Sequence, residues 1–214
     1  EFFWILSGSD DVNFISHYNT KMRRYSDDGL RMYGAYGKRL ELQWNPLIEK
    51  LKSDPMTRQA IVTILRPEDI STNTKDFPCN IVLNFWCDSN KRLNLTTFVR
   101  SQDMFLGFPY DVFHWTMFLE NVALSTGLKL GYYHHFMTNC HYYGRDESTI
   151  EKIVGESAFE SVSMNSIQTS CFNSDIKMYL LDSEYSTKVT GQLNDFLPAE
   201  DNVAIWKDFI RVAA

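Results

Sequence analysis

The sequence predicts an α/β domain. Two strand-like runs, residues 80–87 and 93–99, flank the polar turn Ser89-Asn90-Lys91-Arg92 and read as a hairpin. A long apolar helical pattern follows over residues 110–125. At 214 residues, with 44% hydrophobic and 14% aromatic content, the chain suffices for one domain with a full core, and no linker or internal repeat divides residues 1–214.

The remaining elements follow in chain order. Phe2, Phe3, Ile5 and Leu6 read as the core face of an opening helix, which suggests a native start further upstream. Ser9-Asp10-Asp11 caps a second helix carrying Val12, Phe14 and Ile15. Residues 23–38 turn from basic to acidic to Gly- and Tyr-rich and read as a surface loop. Asn45-Pro46 starts a helix through Leu47, Ile48 and Leu51, with proline at its first position, and Asp54-Pro55 ends it. Residues 59–65 read as a buried strand, 130–137 as another strand and 148–154 as a helix. The 110–125 helix is apolar over more than one face and belongs in the centre. From residue 155 strand-like and helical pieces alternate without a secure placement.

Composition excludes several classes. The formal charge of -6 argues against non-specific nucleic-acid binding, although a local arginine cluster can still hold a small anion. The spacings of Cys79, Cys87, Cys140 and Cys171 match no zinc knuckle and no disulfide framework, so the chain reads as reduced and cytoplasmic. No run of 18 apolar residues predicts a membrane span, and the opening residues lack the basic flank of a signal peptide.

Chemistry-bearing residues concentrate between Pro78 and Asp111. Cys79 heads the first strand of the hairpin and Arg100 ends the second, so the hairpin brings them to one end of the ladder. A guanidinium there favours the thiolate, the nucleophilic form. Arg100-Ser101 also offers a bidentate fork and a hydroxyl to a phosphate. Each residue has a plainer reading: an inert buried cysteine, a surface arginine, a solvated loop acid at Asp103, and a helix N-cap at Asp111. His134, His135, Cys140 and His141 invite a zinc reading, but their spacing fits no common site, and no metal is expected.

The ordered set resembles the thymidylate synthase family from residue 1 to about residue 155. Glu1-Phe2-Phe3-Trp4 resembles the family's Glu-Leu-Leu-Trp helix, which supplies a catalytic glutamate. Tyr36-Gly37-Lys38 resembles its Tyr-Gly-Lys turn, with Tyr36 at the active-site tyrosine. Asp54-Pro55-Met56-Thr57-Arg58-Gln59 resembles its Asp-Pro-x-Ser-Arg-Arg, whose arginines reach the phosphate of the partner subunit's nucleotide. Pro78-Cys79 matches the nucleophile, and residues 100–109 match the Arg-Ser-x-Asp-x-x-x-Gly-x-Pro core. His141-x-Tyr143 matches the His-x-Tyr that holds the sugar 3′-hydroxyl, and Val212-Ala213-Ala214 resembles the apolar C-terminus that closes over the folate. The departures are Gln59 for the second arginine, Asn80 for a common histidine, Met22 for a folate-side tryptophan, and a missing N-terminal arginine segment. Leu65-Arg66-Pro67 resembles the cytidylate hydroxymethylase branch, and so does Asp111 in place of the base-reading asparagine.

The resemblance implies a large mixed sheet flanked by helices and a back-to-back homodimer in which Arg58 serves the partner site. It implies one-carbon transfer from 5,10-methylenetetrahydrofolate to C5 of a pyrimidine nucleoside monophosphate. Cys79 would attack, Glu1 and Tyr36 would manage protons, and Asp111 would read the base. Arg58, Arg100 and Ser101 would hold the phosphate, His141 and Tyr143 the sugar, with Asn80 beside them. Asp103, Gly107, Tyr110 and Ala214 would face the folate. Asparagine offers a donor and an acceptor, which suit uracil; an ionised aspartate offers acceptors only, which suit the amino group of cytosine. Hydroxymethylation of dCMP or CMP is therefore expected. The alternatives are dUMP methylation, dCMP methylation, and an inactive nucleotide-binding relative.

Overall fold

The computed structural model describes residues 1–156 together with Ser163, Ile167, Ser170, Cys171, Phe172 and Lys177. The pieces expected beyond residue 156 therefore lie almost wholly outside the described residues, and so does Ala214.

Helix α1 (Phe2–Ser7) buries Phe2, Phe3, Trp4, Ile5 and Leu6, as its pattern predicts. Helix α2 (Val12–Tyr18) starts at Asp11, whose carboxylate accepts from the Asn13 amide at 2.8 Å. The expected surface loop at residues 23–38 is only partly one. A 3-10 turn spans Thr20–Tyr25, Met32 and Ala35 are buried, and helix α3 (Tyr36–Leu40) has begun by its end. Gly37 is required here: a Cβ on it would lie 2.3 Å from the carbonyl oxygen of Ile5, so α3 packs directly on the α1 backbone.

Helix α4 (Trp44–Ser53) ends at Asp54 as expected, but Pro46 is its third residue rather than its first. The first turn needs no amide donors, so proline fits throughout it. The buried strand expected at 59–65 is shorter, β1 (Ile61–Thr63), although Ala60 and Ile64 on either side of it are buried with Val62 and bond to the backbone of Phe85 and Ile81. The hairpin is present as β2 (Asn80–Cys87) and β3 (Arg92–Val99). A short strand β4 (Gln102–Asp103) leads into α5 (Gly107–Thr126), which starts three residues before the expected position. Pro109, the third residue of α5, again sits inside a first turn. Strands β5 (Lys129–Met137) and β6 (Cys140–His141) and helix α6 (Glu147–Gly155) complete the described chain.

The main sheet is mixed, in the order β1-β2-β3-β5. β1, β2 and β3 are antiparallel neighbours, and β5 joins β3 in parallel. A parallel partner requires a crossover, and α5 provides it. α5 packs Trp115 and Phe118 into the core, and Phe118 stacks on Trp44 of α4 at 4.9 Å. Each such ring contributes about 1.5–3 kcal/mol by leaving water. β4 and β6 pair in parallel, which sets Asp103 beside His141. Among the described residues no helix is long and apolar enough to cross a membrane.

Two local features aim side chains at one end of the sheet. The first is a bulge in β2 between Asn80 and Val82, where the register against β3 shifts by one. Strict alternation would put Asn80 on the same face as Val82 and Trp86, away from α5. The extra residue turns Asn80 inward, where it is fully buried. The second is a buried ion pair. Arg39 of α3 binds both oxygens of Asp69 at 2.6 and 3.0 Å, and Tyr33 donates to the same carboxylate at 2.7 Å. This pair clamps the turn leading to Tyr36 against the loop after β1.

Burial alone would raise Asp69, but its bonds from Arg39, the Arg66 amide and Tyr33 hold it down to about 2. A carboxyl lowered on folding stabilises the fold above its unfolded value, near 4, and loses that contribution as pH falls toward 2. Arg39→Met leaves a buried carboxylate without its cation and should cost about 3–5 kcal/mol in urea unfolding at neutral pH. Asp69→Asn should remove much of the acid dependence in that pH window.

Candidate active site

The hairpin sets Cys79 against Arg100. The Arg100 amide donates to the Cys79 carbonyl at 2.9 Å. Its guanidinium donates to the carbonyls of Pro78 at 2.8 Å and Phe77 at 2.9 Å, and Nη2 lies 3.7 Å from Cys79 Sγ. Arg100 thus holds the 77–79 turn and places a cation beside the sulfur. The expected drift toward thiolate is outweighed. Burial pushes the Cys79 thiol up, Arg100 pulls it down, and Asp111 and Asp76 push it up again.

Asp111 is not a helix cap. It is the fifth residue of α5, only 8% exposed, and the helix begins at Gly107. Asn80 Nδ2 donates to its Oδ1 at 3.1 Å. Burial raises the Asp111 carboxyl to about 7, bonds from Asn80 and Gln102 oppose this, and Glu1 adds to it. Asn80 also donates through Nδ2 to the Tyr36 hydroxyl at 3.1 Å and accepts from Trp115 Nε1 at 3.1 Å. Burial raises the Tyr36 phenol well above its ordinary value, with Asp111 and Cys79 adding to the shift. Burial pushes the Glu1 carboxyl up too.

These groups face one cavity of about 590 Å³, within the range of small-molecule sites. Glu1, Tyr36, Cys79, Arg100, Ser101 and Asp111 are among its lining residues, together with Asp103, Gly107, Tyr110, His141 and Tyr143. Asn80 sits behind the wall. Asp103 spends one oxygen on the Phe105 and Leu106 amides, at 2.9 and 3.1 Å, to form the turn before α5. His141 lies edge-on to Tyr143 at 5.3 Å. Arg58 is exposed and does not line this cavity. Among the described residues no three His, Cys, Asp or Glu side chains converge as a metal site.

Asp76 and Gln102 are among the wall residues that the sequence pattern does not nominate. Asp76, three residues before Cys79, accepts from the Gly34 amide at 2.7 Å, and burial raises it to about 6. Gln102 lies between two nominated residues, Ser101 and Asp103, yet is itself buried. An acid so near a candidate nucleophile was the available signal for Asp76; nothing in the pattern marked Gln102.

The description thymidylate synthase belongs to the family model that matches residues 1–188. The chain belongs to the thymidylate synthase family. It is similar to the deoxyuridylate hydroxymethyltransferase of Bacillus phage SP01, at 35% identity over 178 residues, 72% of this chain and 46% of that protein. It is similar to those of Pseudomonas phage M6, at 32% over 160 residues, and Delftia phage PhiW-14, at 31% over 169 residues. Those matches cover 72% of this chain and 45% and 47% of the two proteins. The chain thus spans about half the length of the curated relatives it matches. Among solved structures, the thermostable thymidylate synthase A from Bacillus subtilis superposes with a TM-score of 0.65 at 24% identity, over 75% of this chain and 62% of that one. That likeness shows the fold: a thymidylate synthase-like mixed sheet with helices.

In this family member the Cys79 thiol should alkylate with iodoacetamide more slowly than the exposed Cys140 near neutral pH. Arg100→Met should slow Cys79 further, by roughly tenfold for each pKa unit the thiol rises. Mass spectrometry of the labelled peptides reads both rates. Equal labelling of Cys79 in the two proteins contradicts the electrostatic role of Arg100.

Proposed function

We propose that this chain transfers a one-carbon unit to C5 of a pyrimidine nucleoside monophosphate, converting dCMP to its 5-hydroxymethyl form, with CMP as the ribose counterpart. The observation that carries this reading is Asp111: a buried carboxyl in the body of α5, facing the cavity that Cys79 lines. Its acceptors suit the N4 amino group of cytosine.

Cys79 gives its thiol proton to solvent and its sulfur adds to C6, so the C5=C6 pair moves onto C5 and makes C5 a nucleophile. Once the C5 proton has left and water has joined the new carbon, the C5=C6 bond re-forms and the C6–S bond breaks to release Cys79. Folate supplies the one-carbon unit when bound. The far wall suits a flat ring with N–H groups, since Leu106, Gly107 and Tyr110 present apolar surface and Asp103 a carboxylate. Ala214 would close that side. Tyr36 remains a phenol and relays the C5 proton through hydrogen bonds, and Glu1 orders the water whose oxygen becomes the new hydroxyl. Arg100, Ser101 and Arg58 of the partner subunit hold the phosphate. His141 and Tyr143 hold the sugar.

The homodimer is supported by the sheet face opposite α5. Trp86, Phe98, Tyr132 and Phe136 are exposed there, with Phe98 and Phe136 stacked at 5.4 Å. A contiguous aromatic face of this kind calls for a partner. Arg58, being outside the cavity of its own chain, has a phosphate role only across such an interface.

A second reading, dUMP as substrate, is favoured by two observations. The curated relatives carry deoxyuridylate in their names. The Asp111 carboxyl, raised to about 7, also has an acid form that offers a donor to uracil O4. Product mass after incubation with dCMP, CMP or dUMP plus methylenetetrahydrofolate separates the readings. Cys79→Ser should lose several orders of magnitude in turnover while nucleotide affinity stays within about tenfold. Asp111→Asn should move preference toward dUMP by roughly tenfold to a hundredfold. Wild-type preference for dUMP, or unaltered selectivity in Asp111→Asn, rejects the cytosine reading.

A further inference from the structure

A second hydrogen-bond chain reaches Asp111 from the sheet, and the proposed chemistry uses none of its members. Thr97 Oγ1 lies 3.0 Å from the Tyr133 hydroxyl, which lies 2.6 Å from His135 Nδ1. His135 Nε2 lies 2.9 Å from Gln102 Oε1, and the Gln102 side chain is close enough to Asp111 to help lower its carboxyl. β3, β5 and β4 thus each contribute to one line that ends at the base-facing carboxyl.

The hydrogens along this line have a direction. A carbonyl oxygen only accepts, so Gln102 Oε1 requires the hydrogen on His135 Nε2. Burial lowers the imidazole, which is therefore neutral with one N–H, and Nδ1 must accept from Tyr133. Burial keeps the Tyr133 phenol protonated and able to donate. With its oxygen occupied, Gln102 turns its NH2 toward α5. Gly107 leaves the space: a Cβ there would come within 3.0 Å of Gln102 Nε2. On the other side, the Trp115 indole takes Asn80 Oδ1 and so aims Asn80 Nδ2 at Asp111 Oδ1. Asp111 therefore has the bonded Asn80 amide on one side and the Gln102 amide near it on the other, and both favour the carboxylate over the acid.

We propose that the Thr97–Tyr133–His135–Gln102 chain is the specificity-determining element of the base pocket: it holds the Gln102 NH2 on Asp111 and keeps Asp111 the acceptor that a cytosine amino group requires. The proposal rests on the reading that Asp111 contacts the base. Several titratable groups surround that carboxyl: Glu1 before α1, Tyr36 of α3, Cys79 before β2 and Tyr133 of β5. His114, one turn along α5, is lowered by burial to about 3 and stays uncharged. Burial and Glu1 push Asp111 toward the acid, while the two amides pull it toward the anion. Loss of the Gln102 amide tips this balance toward the acid, the form that suits uracil O4.

The test is the pH dependence of kcat/KM for dCMP and for dUMP, with methylenetetrahydrofolate, between about pH 6 and about pH 9. The proteins compared are the wild type, Gln102→Leu, Tyr133→Phe and Asp111→Asn. Activity on dCMP needs the carboxylate, so it falls as pH drops through the Asp111 pKa. Gln102→Leu should move that acid limb to higher pH and lower the dCMP-to-dUMP ratio by about tenfold or more at neutral pH. Tyr133→Phe keeps the ring and removes the shorter of the two hydroxyl contacts on His135 Nδ1, the other being Thr97 Oγ1 at 3.2 Å. It should shift both readouts in the same direction by less, and it covers the case in which Gln102→Leu does not fold. A limb and ratio unchanged in folded Gln102→Leu and Tyr133→Phe, while Asp111→Asn shifts selectivity, overturn the inference alone. Selectivity that Asp111→Asn does not move overturns it together with the reading beneath it.

Discussion

Asn80 cannot turn its amide over. The Trp115 indole has a hydrogen to give and nothing to accept with, so Asn80 Oδ1 must face it and Nδ2 must face away. That fixes the donors on the Tyr36 hydroxyl and on Asp111. The β2 bulge puts Asn80 on the inner face, and α5 supplies both Trp115 and Asp111. Three elements that share no sequence neighbourhood are thereby held at one point, one residue from Cys79. A buried amide left without partners costs about 1–3 kcal/mol, so the arrangement is enforced by the penalty for leaving it.

The electrostatics of the cavity are a contest between burial and a few fixed partners. Glu1, Asp76, Asp111 and Cys79 are all pushed toward their neutral forms by desolvation. Arg100 opposes this at Cys79, but its guanidinium also holds the carbonyls of Phe77 and Pro78. Its position is thus rigid. Asp76 and Asp111, raised to about 6 and about 7, are poised to exchange protons near neutral pH.

Much of this was legible in the sequence because it is local. The hairpin follows from two apolar runs about a polar turn, and the meeting of Cys79 with Arg100 follows from the hairpin. α1, α2, β5 and α6 stand where periodicity and caps place them. The failures have physical causes. Pro46 reads as the first residue of its helix, yet a first turn accepts proline at several positions. Residues 59–65 bury Ala60, Val62 and Ile64 in alternation, but only Ile61–Thr63 keep a regular ladder, because the Ile64 and Leu65 amides both turn onto the Ile81 carbonyl. The bulge at Asn80 leaves no mark on alternation, so neither the inward turn of Asn80 nor the role of Gln102 could be read. Asp111 carried two readings at the sequence level, cap or base contact. The start of α5 at Gly107 removes the first.

The central claim is that Cys79 attacks a pyrimidine ring held with its edge at Asp111. The most direct measurement is the mass of a trapped complex. A 5-fluoro pyrimidine nucleotide has no C5 proton to lose, so addition of the cysteine stops at the covalent stage. Incubation with 5-fluoro-dCMP and methylenetetrahydrofolate, followed by digestion and mass spectrometry, should give one adduct. It should carry both nucleotide and folate, sit on the peptide containing Cys79, and form faster than with 5-fluoro-dUMP. No covalent adduct with either nucleotide, or an adduct on Cys87, Cys140 or Cys171 instead, contradicts the account.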